Sequence, residues 1–276
     1  VLTYLIKSCQ ELSIEKENIG KWKTMIEKMP PYLVNEDGGL KEWSWPGAEE
    51  DYNQRHHSHF LPLYQFCEFD RDRTPELWKA SEIAFEHKVS DWLRRTEGSN
   101  SNHITHGMMN QGQCAARLGR EDVVYEVLSR MATRQYLYPS FMISYWPGLR
   151  GFGFDPVGTI PDVVNNSLLF CWDGILDLIP ALPEEWPEGS ISGIKARGQI
   201  HIDQFAWDRP EGELELSLTS AVVQDLTVRL PDGCKITSMK IVKGEASITE
   251  IPGRPTCGRL ILPAGETIEL RIRFGG

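Results

Sequence analysis

The chain has 276 residues, a formal net charge of −10 and 41% hydrophobic residues, which is ordinary globular composition with enough length for one large domain or two smaller ones. The acidic balance argues against a nucleic acid or a membrane surface as a partner, because phosphates and anionic lipids attract basic surfaces. No apolar run approaches the roughly 18 residues of a transmembrane helix, and the six cysteines show no CxxC spacing, so we expect no disulfide framework.

The first part of the chain, to about residue 186, has the apolar periodicity of helices. The predicted helices cover 1–11, 17–29, 57–66, a stretch starting at Thr74-Pro75, 108–118, 121–132 and about 162–172. Between the last two lies the segment 135–161, which is rich in aromatic residues and glycine and is predicted to be an irregular loop. Loops of this length in compact domains are usually functional or mobile.

After about residue 187 the pattern changes to the alternation of β-strands. Segments 213–219 and 268–274 alternate strictly between apolar and polar residues, which is typical of strands with one buried face. Pro-Asp-Gly at 231–233 and Pro-Gly at 252–253 mark turns between short strands. The sequence therefore predicts an antiparallel β-sandwich that packs against the helical part and carries no chemical motif.

One stretch, residues 40–64, collects chemically opposed side chains. Glu42 stands beside Trp43 and Trp45, and Arg55 follows an acidic loop and precedes histidines at 56, 57 and 59. An apolar neighbourhood raises the pKa of a carboxyl group and a cation lowers it. Active sites bring such environments together, so this stretch is the candidate site.

Three interpretations of this stretch stay open from the residues alone. Glu42 could be a general acid in an aromatic-lined sugar cleft. The histidines, with a second cluster at His103 and His106, could bind zinc, since catalytic zinc usually takes three protein ligands. However, the spacing of residues 56, 57 and 59 does not place all three side chains on one helical face, and no HExxH motif occurs. Otherwise Glu42 is a solvated loop carboxylate and the histidines begin a helix.

The same stretch resembles the signature of glycoside hydrolase family 95, a family of inverting glycosidases known as 1,2-α-L-fucosidases. EDGGLKEW at 36–43 and RHHSHFLPLY at 55–64 are similar to the family's Gly-x-Leu-Gln-Glu-Trp and His-Arg-His-x-Ser-His-Leu-x-x-Leu-Tyr runs, with Lys41 in place of the usual glutamine. Further short motifs follow in the family's order: Ala-Arg-Leu-Gly at 116–119, Trp-Asp-Gly at 172–174 and Ile-Pro-Ala-Leu-Pro at 179–183.

The resemblance implies that Glu42 is the general acid. It also places the general base on Asp155, by an ungapped count back from Trp172. Pro-Val-Gly-Thr at 156–159 stands where the family has Gly-Asn-Phe-Gly after the base, which makes Asp162 a second candidate. The aromatic residues near the two acids could stack on sugar rings or simply pack in the core, and the remaining polar ones could hold sugar hydroxyls. The expected substrate-binding residues are Trp43, Trp45, Arg55, His57, His59, His106 and Trp146.

The resemblance also implies the architecture: the C-terminal part of an (α/α)6-barrel catalytic domain over 1–186, followed by the antiparallel β-sandwich domain over 187–276. We expect an α-L-fucosidase-like hydrolase that acts on an oligosaccharide or polysaccharide, needs no cofactor and is completed by the missing N-terminal half of the same enzyme. The alternatives are a non-catalytic carbohydrate-binding remnant and a histidine-ligated metal hydrolase. An extracellular or periplasmic location is favoured slightly over a cytoplasmic one.

Overall fold

The structure, a computed structural model, describes residues 1–96 and 104–276, and the chain divides into two compact units, Val1–Arg94 and Arg95–Gly276. No helix in these described ranges is long and apolar enough to cross a membrane. The helices of the first unit are α1 (Leu2–Leu12), α2 (Lys16–Glu27), a 3-10 turn (Ser58–Phe60), α3 (Leu61–Tyr64) and α4 (Pro75–Thr96).

Helix α4 organises the first unit. It begins at Pro75, whose fixed φ and missing N–H suit the first turn of a helix. Phe85, Val89 and Trp92 are buried along one face, and Phe60 and Leu63 are buried in the same unit. Apolar burial of this kind contributes roughly 25 cal/mol per Å², so this face contributes to the stability of the unit.

In the second unit, three helices precede the sheets: α5 (Thr105–Leu118), α6 (Glu121–Thr133) and α7 (Asp155–Leu168). They meet at Gly112, where an added Cβ would lie 3.1 Å from a methyl carbon of Val163 and 3.3 Å from one of Val127. A side chain larger than hydrogen would therefore require the Val163 and Val127 side chains to give way by a few tenths of an ångström. The predicted bounds of α5 and α6 are confirmed to within a few residues.

The predicted loop 135–161 and the helix after it are wrong in part. A short hairpin, β1 (Ser144–Trp146) and β2 (Arg150–Phe152), occupies the middle of the segment, and α7 begins at Asp155. Pro156 fits the first turn of that helix instead of delaying its start. The helix ends at Leu168, because residues 169–172 leave it to form a strand.

The remaining strands are β3 (Leu169–Trp172), β4 (Ile175–Leu178), β5 (Glu188–Ala196), β6 (Ile200–Asp208), β7 (Glu213–Ser220), β8 (Gln224–Arg229), β9 (Lys235–Lys243), β10 (Ser247–Glu250), β11 (Cys257–Leu262) and β12 (Thr267–Gly275). They form two five-stranded sheets, in the orders β10-β11-β8-β4-β3 and β5-β6-β7-β12-β9. Apolar residues of both sheets belong to one buried cluster. The predicted strands at 213–219 and 268–274 are confirmed as β7 and β12.

The prediction of purely antiparallel pairing is wrong at one place. Strand β4 pairs with β8 in parallel, while the other ladders of the two sheets are antiparallel. The β3–β4 hairpin, closed by a tight turn at Asp173 and Gly174 in which both φ angles are positive, follows α7 directly and enters the sheet with β4 running in the same direction as β8. Both strands lie before the predicted domain boundary at 186/187, which stays a prediction.

Candidate active site

Glu42 lies in a loop that is held closed by its own hydrogen bonds. The Glu42 N–H donates to both carboxylate oxygens of Glu50, at 3.1 and 3.0 Å, and Lys41 Nζ donates to the Ala48 carbonyl at 2.6 Å. The preceding residue, Leu40, is buried and donates its N–H to the Ala80 carbonyl on α4 at 2.8 Å. The loop is therefore fixed to the helix at its start.

The environment of Glu42 favours the protonated carboxyl group. Its Oε2 atom is buried and has no hydrogen-bond partner among the described residues. Burial raises the pKa of Glu42, the nearby Lys88 opposes that shift, and the charges of Glu50 and Asp51 add to it. A carboxyl group kept protonated toward neutral pH is what general acid catalysis requires.

The two tryptophans beside Glu42 contribute less to this burial than the sequence suggests. Trp43 is 51% exposed and Trp45 is 74% exposed. A ring with half or more of its surface in water can desolvate a neighbouring carboxyl group only in part. Both rings are instead available for a ligand, and sugar rings offer apolar C–H faces for such contacts.

Lys88 on α4 is the cation of this site, and the sequence interpretation did not identify it. It is only 3% exposed, and its Nζ donates to the carbonyls of Gln54 at 3.0 Å and His56 at 3.3 Å. A sequence signal was available, because position 88 falls three residues after Phe85 and four before Trp92, on the buried stripe of α4. A lysine on such a stripe is rarely buried without a specific partner.

The predicted sugar-binding residues of the 55–59 segment differ in their surroundings. Arg55 is exposed, whereas His57 and His59 are buried, and His57 Nδ1 lies 3.1 Å from the Arg55 carbonyl oxygen. Neither ring nitrogen of His59 has a hydrogen-bond partner among the described residues. Burial, with a smaller effect from the Lys88 charge, lowers the pKa of His59 to about 3, so its imidazole is neutral at ordinary pH.

The histidines do not form a metal site in the described part of the chain. No group of three or more His, Cys, Asp or Glu side chains within residues 1–96 and 104–276 is arranged to hold a metal ion. His103, which belongs to the second predicted cluster, lies outside the described residues.

A cavity of about 590 Å³ lies beside the Glu42 loop and includes Lys41 and Glu50, but not Glu42, in its lining. On its wall, Tyr52 donates its hydroxyl hydrogen to Asp37 Oδ2 at 2.7 Å, and its ring stacks on His87 with centroids 4.6 Å apart. Hydrogen bonds from the Gly39 N–H and the Tyr52 hydroxyl lower the pKa of Asp37. The sequence interpretation did not identify this cavity.

Asp155 belongs to the second unit and is the first residue of α7, not a loop residue as expected. Its Oδ2 lies 3.1 Å from Nδ1 of His106 on α5, and Nε2 of that imidazole lies 3.3 Å from the Asn110 side-chain nitrogen. The Asp155 side chain is 58% exposed. His106, predicted to bind substrate, thus contacts the predicted base directly.

The alternative base, Asp162, has a neutral partner. Its Oδ2 accepts a hydrogen bond from the Gln113 side-chain nitrogen at 2.7 Å. Both carboxylates of α7 therefore contact α5, Asp155 through His106 and Asp162 through Gln113. Because the two contacts advance by seven residues on each helix, α5 and α7 run parallel at this interface.

Trp146, the remaining predicted substrate-binding residue, lies on strand β1 of the second unit. It is 38% exposed, and its ring packs edge-on against Tyr145 with centroids 4.5 Å apart. Phe154, immediately before Asp155, is 78% exposed. The aromatic residues of this segment are therefore available at the surface near the start of α7.

Comparison with known proteins adds evidence that does not depend on this geometry. The α-L-fucosidase 2 of Arabidopsis thaliana is 26% identical over 194 residues, which cover 67% of this chain and 21% of the relative. The chain thus spans about a fifth of the length of that relative. Among solved structures, a GH127 β-L-arabinofuranosidase from Geobacillus stearothermophilus T6 aligns with 12% identity and a TM-score of 0.32, over 72% of this chain and 41% of the other.

Two family models match consecutive parts of the chain. Residues 1–156 match the glycosyl hydrolase family 95 catalytic domain, and residues 171–251 match the glycoside hydrolase family 95 C-terminal domain. The first match contains Glu42, Lys88, His106 and Asp155, and the second begins within strand β3. Since the catalytic-domain model alone covers more than half of the sequence, the chain belongs to glycoside hydrolase family 95.

Proposed function

We propose that the enzyme to which this chain belongs is an α-L-fucosidase-like hydrolase that inverts the anomeric carbon, with Glu42 as general acid and Asp155 as general base. Membership of family 95 and the similarity to an α-L-fucosidase support the reaction class. Its substrate is a glycan that ends in an α-L-fucosyl or related L-sugar residue. The whole activity requires the rest of the enzyme, because the chain corresponds to only 21% of its relative.

The observation that carries the proposal is the state of Glu42. A buried carboxylate oxygen without a hydrogen-bond partner destabilises the ionised form, and each such group calls for an explanation. The raised pKa and the unpartnered Oε2 suit a carboxyl group that donates a proton to a bound substrate. The glycosidic oxygen of a substrate would be that acceptor.

In the proposed reaction, the Glu42 carboxyl group gives its proton to the glycosidic oxygen while the bond from that oxygen to the anomeric carbon breaks. A water molecule attacks the same carbon from the opposite face, and the Asp155 carboxylate takes a proton from it. The electron pair of the broken bond stays on the leaving alcohol, and the sugar leaves with inverted configuration. In inverting enzymes the two carboxyl groups stand about 6.5–9.5 Å apart to accommodate the water.

Asp155 is preferred to Asp162 as the base because of its surroundings. Its carboxylate is more than half exposed, so water can reach it, and one of its oxygens contacts an imidazole. Asp162 is less exposed and has its Oδ2 engaged by Gln113. A carboxylate that must accept a proton from water needs an open oxygen.

The other predicted residues take binding roles in this proposal. Trp43, Trp45 and Trp146 are exposed rings on which a sugar can stack. His57, His59 and Arg55 supply hydrogen bonds to hydroxyl groups; the unpartnered nitrogens of neutral His59 can each make one. We further propose that the helices within residues 1–186 form part of an (α/α)6 barrel and that the two sheets, which include β3 and β4 and share one buried cluster, are a β-sandwich.

The test uses the full-length enzyme and two substrates. Glu42→Gln should reduce turnover of a fucosylated oligosaccharide by about 10²–10⁴-fold but spare α-L-fucosyl fluoride, whose leaving group needs no protonation. Asp155→Asn should reduce turnover of both substrates. Glu49→Gln, an exposed residue of the same loop, is the matched control and should behave as wild type.

The stereochemistry of the product is read by proton NMR in the first minutes of the reaction, and the β-anomer should form first. Wild-type turnover by Glu42→Gln on the oligosaccharide would overturn the assignment of the acid. Loss of activity in Asp162→Asn, with Asp155→Asn active, would move the base to Asp162. Binding of the glycan without any turnover by the wild-type enzyme would favour a carbohydrate-binding protein.

A further inference from the structure

The imidazole of His106 connects two polar side chains at the start of α5 and α7. Its Nδ1 lies 3.1 Å from Asp155 Oδ2, and its Nε2 lies 3.3 Å from the side-chain nitrogen of Asn110. His106 and Asn110 are four residues apart on α5, so they share one face of that helix. Both nitrogens of the ring are therefore engaged, one on each side.

These contacts determine where the imidazole carries its proton. An ionised carboxylate can only accept hydrogen bonds, so the Nδ1 atom must carry a hydrogen that it donates to Asp155. The Asn110 side-chain nitrogen is a donor, so Nε2 accepts from it. The ring thus carries a hydrogen on Nδ1 that is directed at the carboxylate, and Asn110 contacts the ring from the opposite side.

The carboxylate of Asp155 is left with one engaged and one open oxygen. Oδ2 accepts from His106, whereas Oδ1 has no donor from the protein among the residues that the structure describes. The side chain is otherwise more than half exposed and sits at the first turn of α7, where only the backbone fixes it. Without the imidazole, the carboxylate would rotate freely about its side-chain bonds.

We propose that His106 is a positioning residue for Asp155: held by Asn110, it fixes the carboxylate so that the open Oδ1 faces the attacking water. This inference rests on the proposed role of Asp155 as base, and it replaces the expected contact of His106 with the sugar. The other ionisable or charged side chains of α5 and α7 have partners or are buried. Arg117 pairs with Asp177, Asp162 accepts from Gln113, and Cys114 is buried.

Two conservative substitutions separate positioning from other roles. The side-chain nitrogen of asparagine occupies the place of Nδ1, whereas that of glutamine occupies the place of Nε2. His106→Asn therefore keeps the donor to Asp155, and His106→Gln loses it. In the full-length enzyme, His106→Gln should lower kcat about 100-fold, the effect typical of a misplaced reacting group, with KM nearly unchanged. His106→Asn keeps this donor but loses the contact with Asn110, so it should retain a clearly larger kcat than His106→Gln.

A second readout does not depend on activity. Nitrogen-15 NMR of the histidine side chains should show His106 as the Nδ1–H tautomer, and Asp155→Asn and Asn110→Ala should each abolish that preference. The thermal midpoint of every variant is measured as well, so that a variant that fails to fold is recognised. In that case the tautomer of His106 in the wild-type enzyme tests the inference. An Nε2–H tautomer in the wild-type enzyme would overturn the inference.

The outcomes also separate this inference from the assignment of the base. If Asp155→Asn retains wild-type kcat, the proposed base is wrong. If Asp155→Asn is inactive but His106→Gln has wild-type kcat, only the positioning role is wrong. Equal losses of kcat in His106→Asn and His106→Gln would also overturn the positioning role. A rise of KM alone in both variants would overturn it too, and would instead indicate that His106 binds the sugar.

Discussion

The Nζ atom of Lys88 lies 3.0 Å from the carbonyl oxygen of Gln54, so a buried lysine of α4 holds the segment that carries the predicted sugar-binding histidines. The same cation acts on Glu42, where it lowers the pKa against the larger effect of burial, and on His59. Lys88 thus connects the position of the loop to the protonation of the proposed acid.

Lys88→Met should shift the pH dependence of catalysis. Removing the positive charge raises the pKa of Glu42, so the acid stays protonated to higher pH. The basic limb of the kcat/KM profile, which reports the acid in the free enzyme, should move up. Glu50→Gln should move it down, because the Glu50 charge raises that pKa. Lys79→Met, at an exposed position of the same helix, is the control and should leave the profile unchanged; a downward shift in Lys88→Met would contradict the assignment.

Glu42→Gln should increase the stability of the fold at neutral pH while it removes activity. The folded-state pKa of Glu42 lies above that of the unfolded chain. Its contribution to stability is therefore fully present at low pH, where both states are protonated, and is lost as the pH rises through the folded pKa. The variant should melt at a higher temperature than wild type at pH 7, and the difference should disappear near pH 3. Glu49→Gln should show no such pH-dependent gain.

His59→Leu should make the protein more resistant to acid. Burial lowers the pKa of His59 from 6.5 to about 3. Between these two pH values the unfolded state binds a proton that the folded state does not, so the free energy of unfolding of the wild type decreases as the pH is lowered. One pKa unit corresponds to about 1.4 kcal/mol, which makes the full effect roughly 4–5 kcal/mol. Urea unfolding at pH 7, 5 and 4 measures it, with His201→Leu, at a histidine whose side chain is 46% exposed, as the control. A constant difference between wild type and variant across this range would contradict the pKa.

Asp177→Asn should strongly destabilise the second unit. The Asp177 carboxylate accepts from Arg229 on β8, at 2.6 and 2.9 Å, and from Arg117 on α5, at 3.1 Å, and all three side chains are buried. Breaking a buried ion pair by removing one partner typically costs about 3–5 kcal/mol. The urea midpoint should fall accordingly. Asp225→Asn, which removes the exposed pair with Arg259, should leave the midpoint nearly unchanged; an equal effect of both substitutions would show that burial of the pair is unimportant.

Local patterns in the sequence were sufficient for the elements with strong periodicity. Helix α6 and strands β7 and β12 lie within a few residues of their predicted positions, because one buried face imposes a period on neighbouring residues that can be counted directly. Resemblance to family 95, carried by short motifs around Glu42 and residues 172–183, identified the family that the comparisons establish.

Only the tertiary structure decided which distant residues share a contact. The sequence alone placed Glu42 beside tryptophans. The largest effect of a charge on the pKa of Glu42, however, comes from Lys88, which the packing of α4 brings near. The pairing of His106 with Asp155 depends on the parallel packing of α5 and α7, and the parallel pairing of β4 with β8 depends on where the hairpin after α7 enters the sheet. Periodicity is a property of neighbours along the chain, whereas a charge acts through space, so the chemistry of the site required the fold.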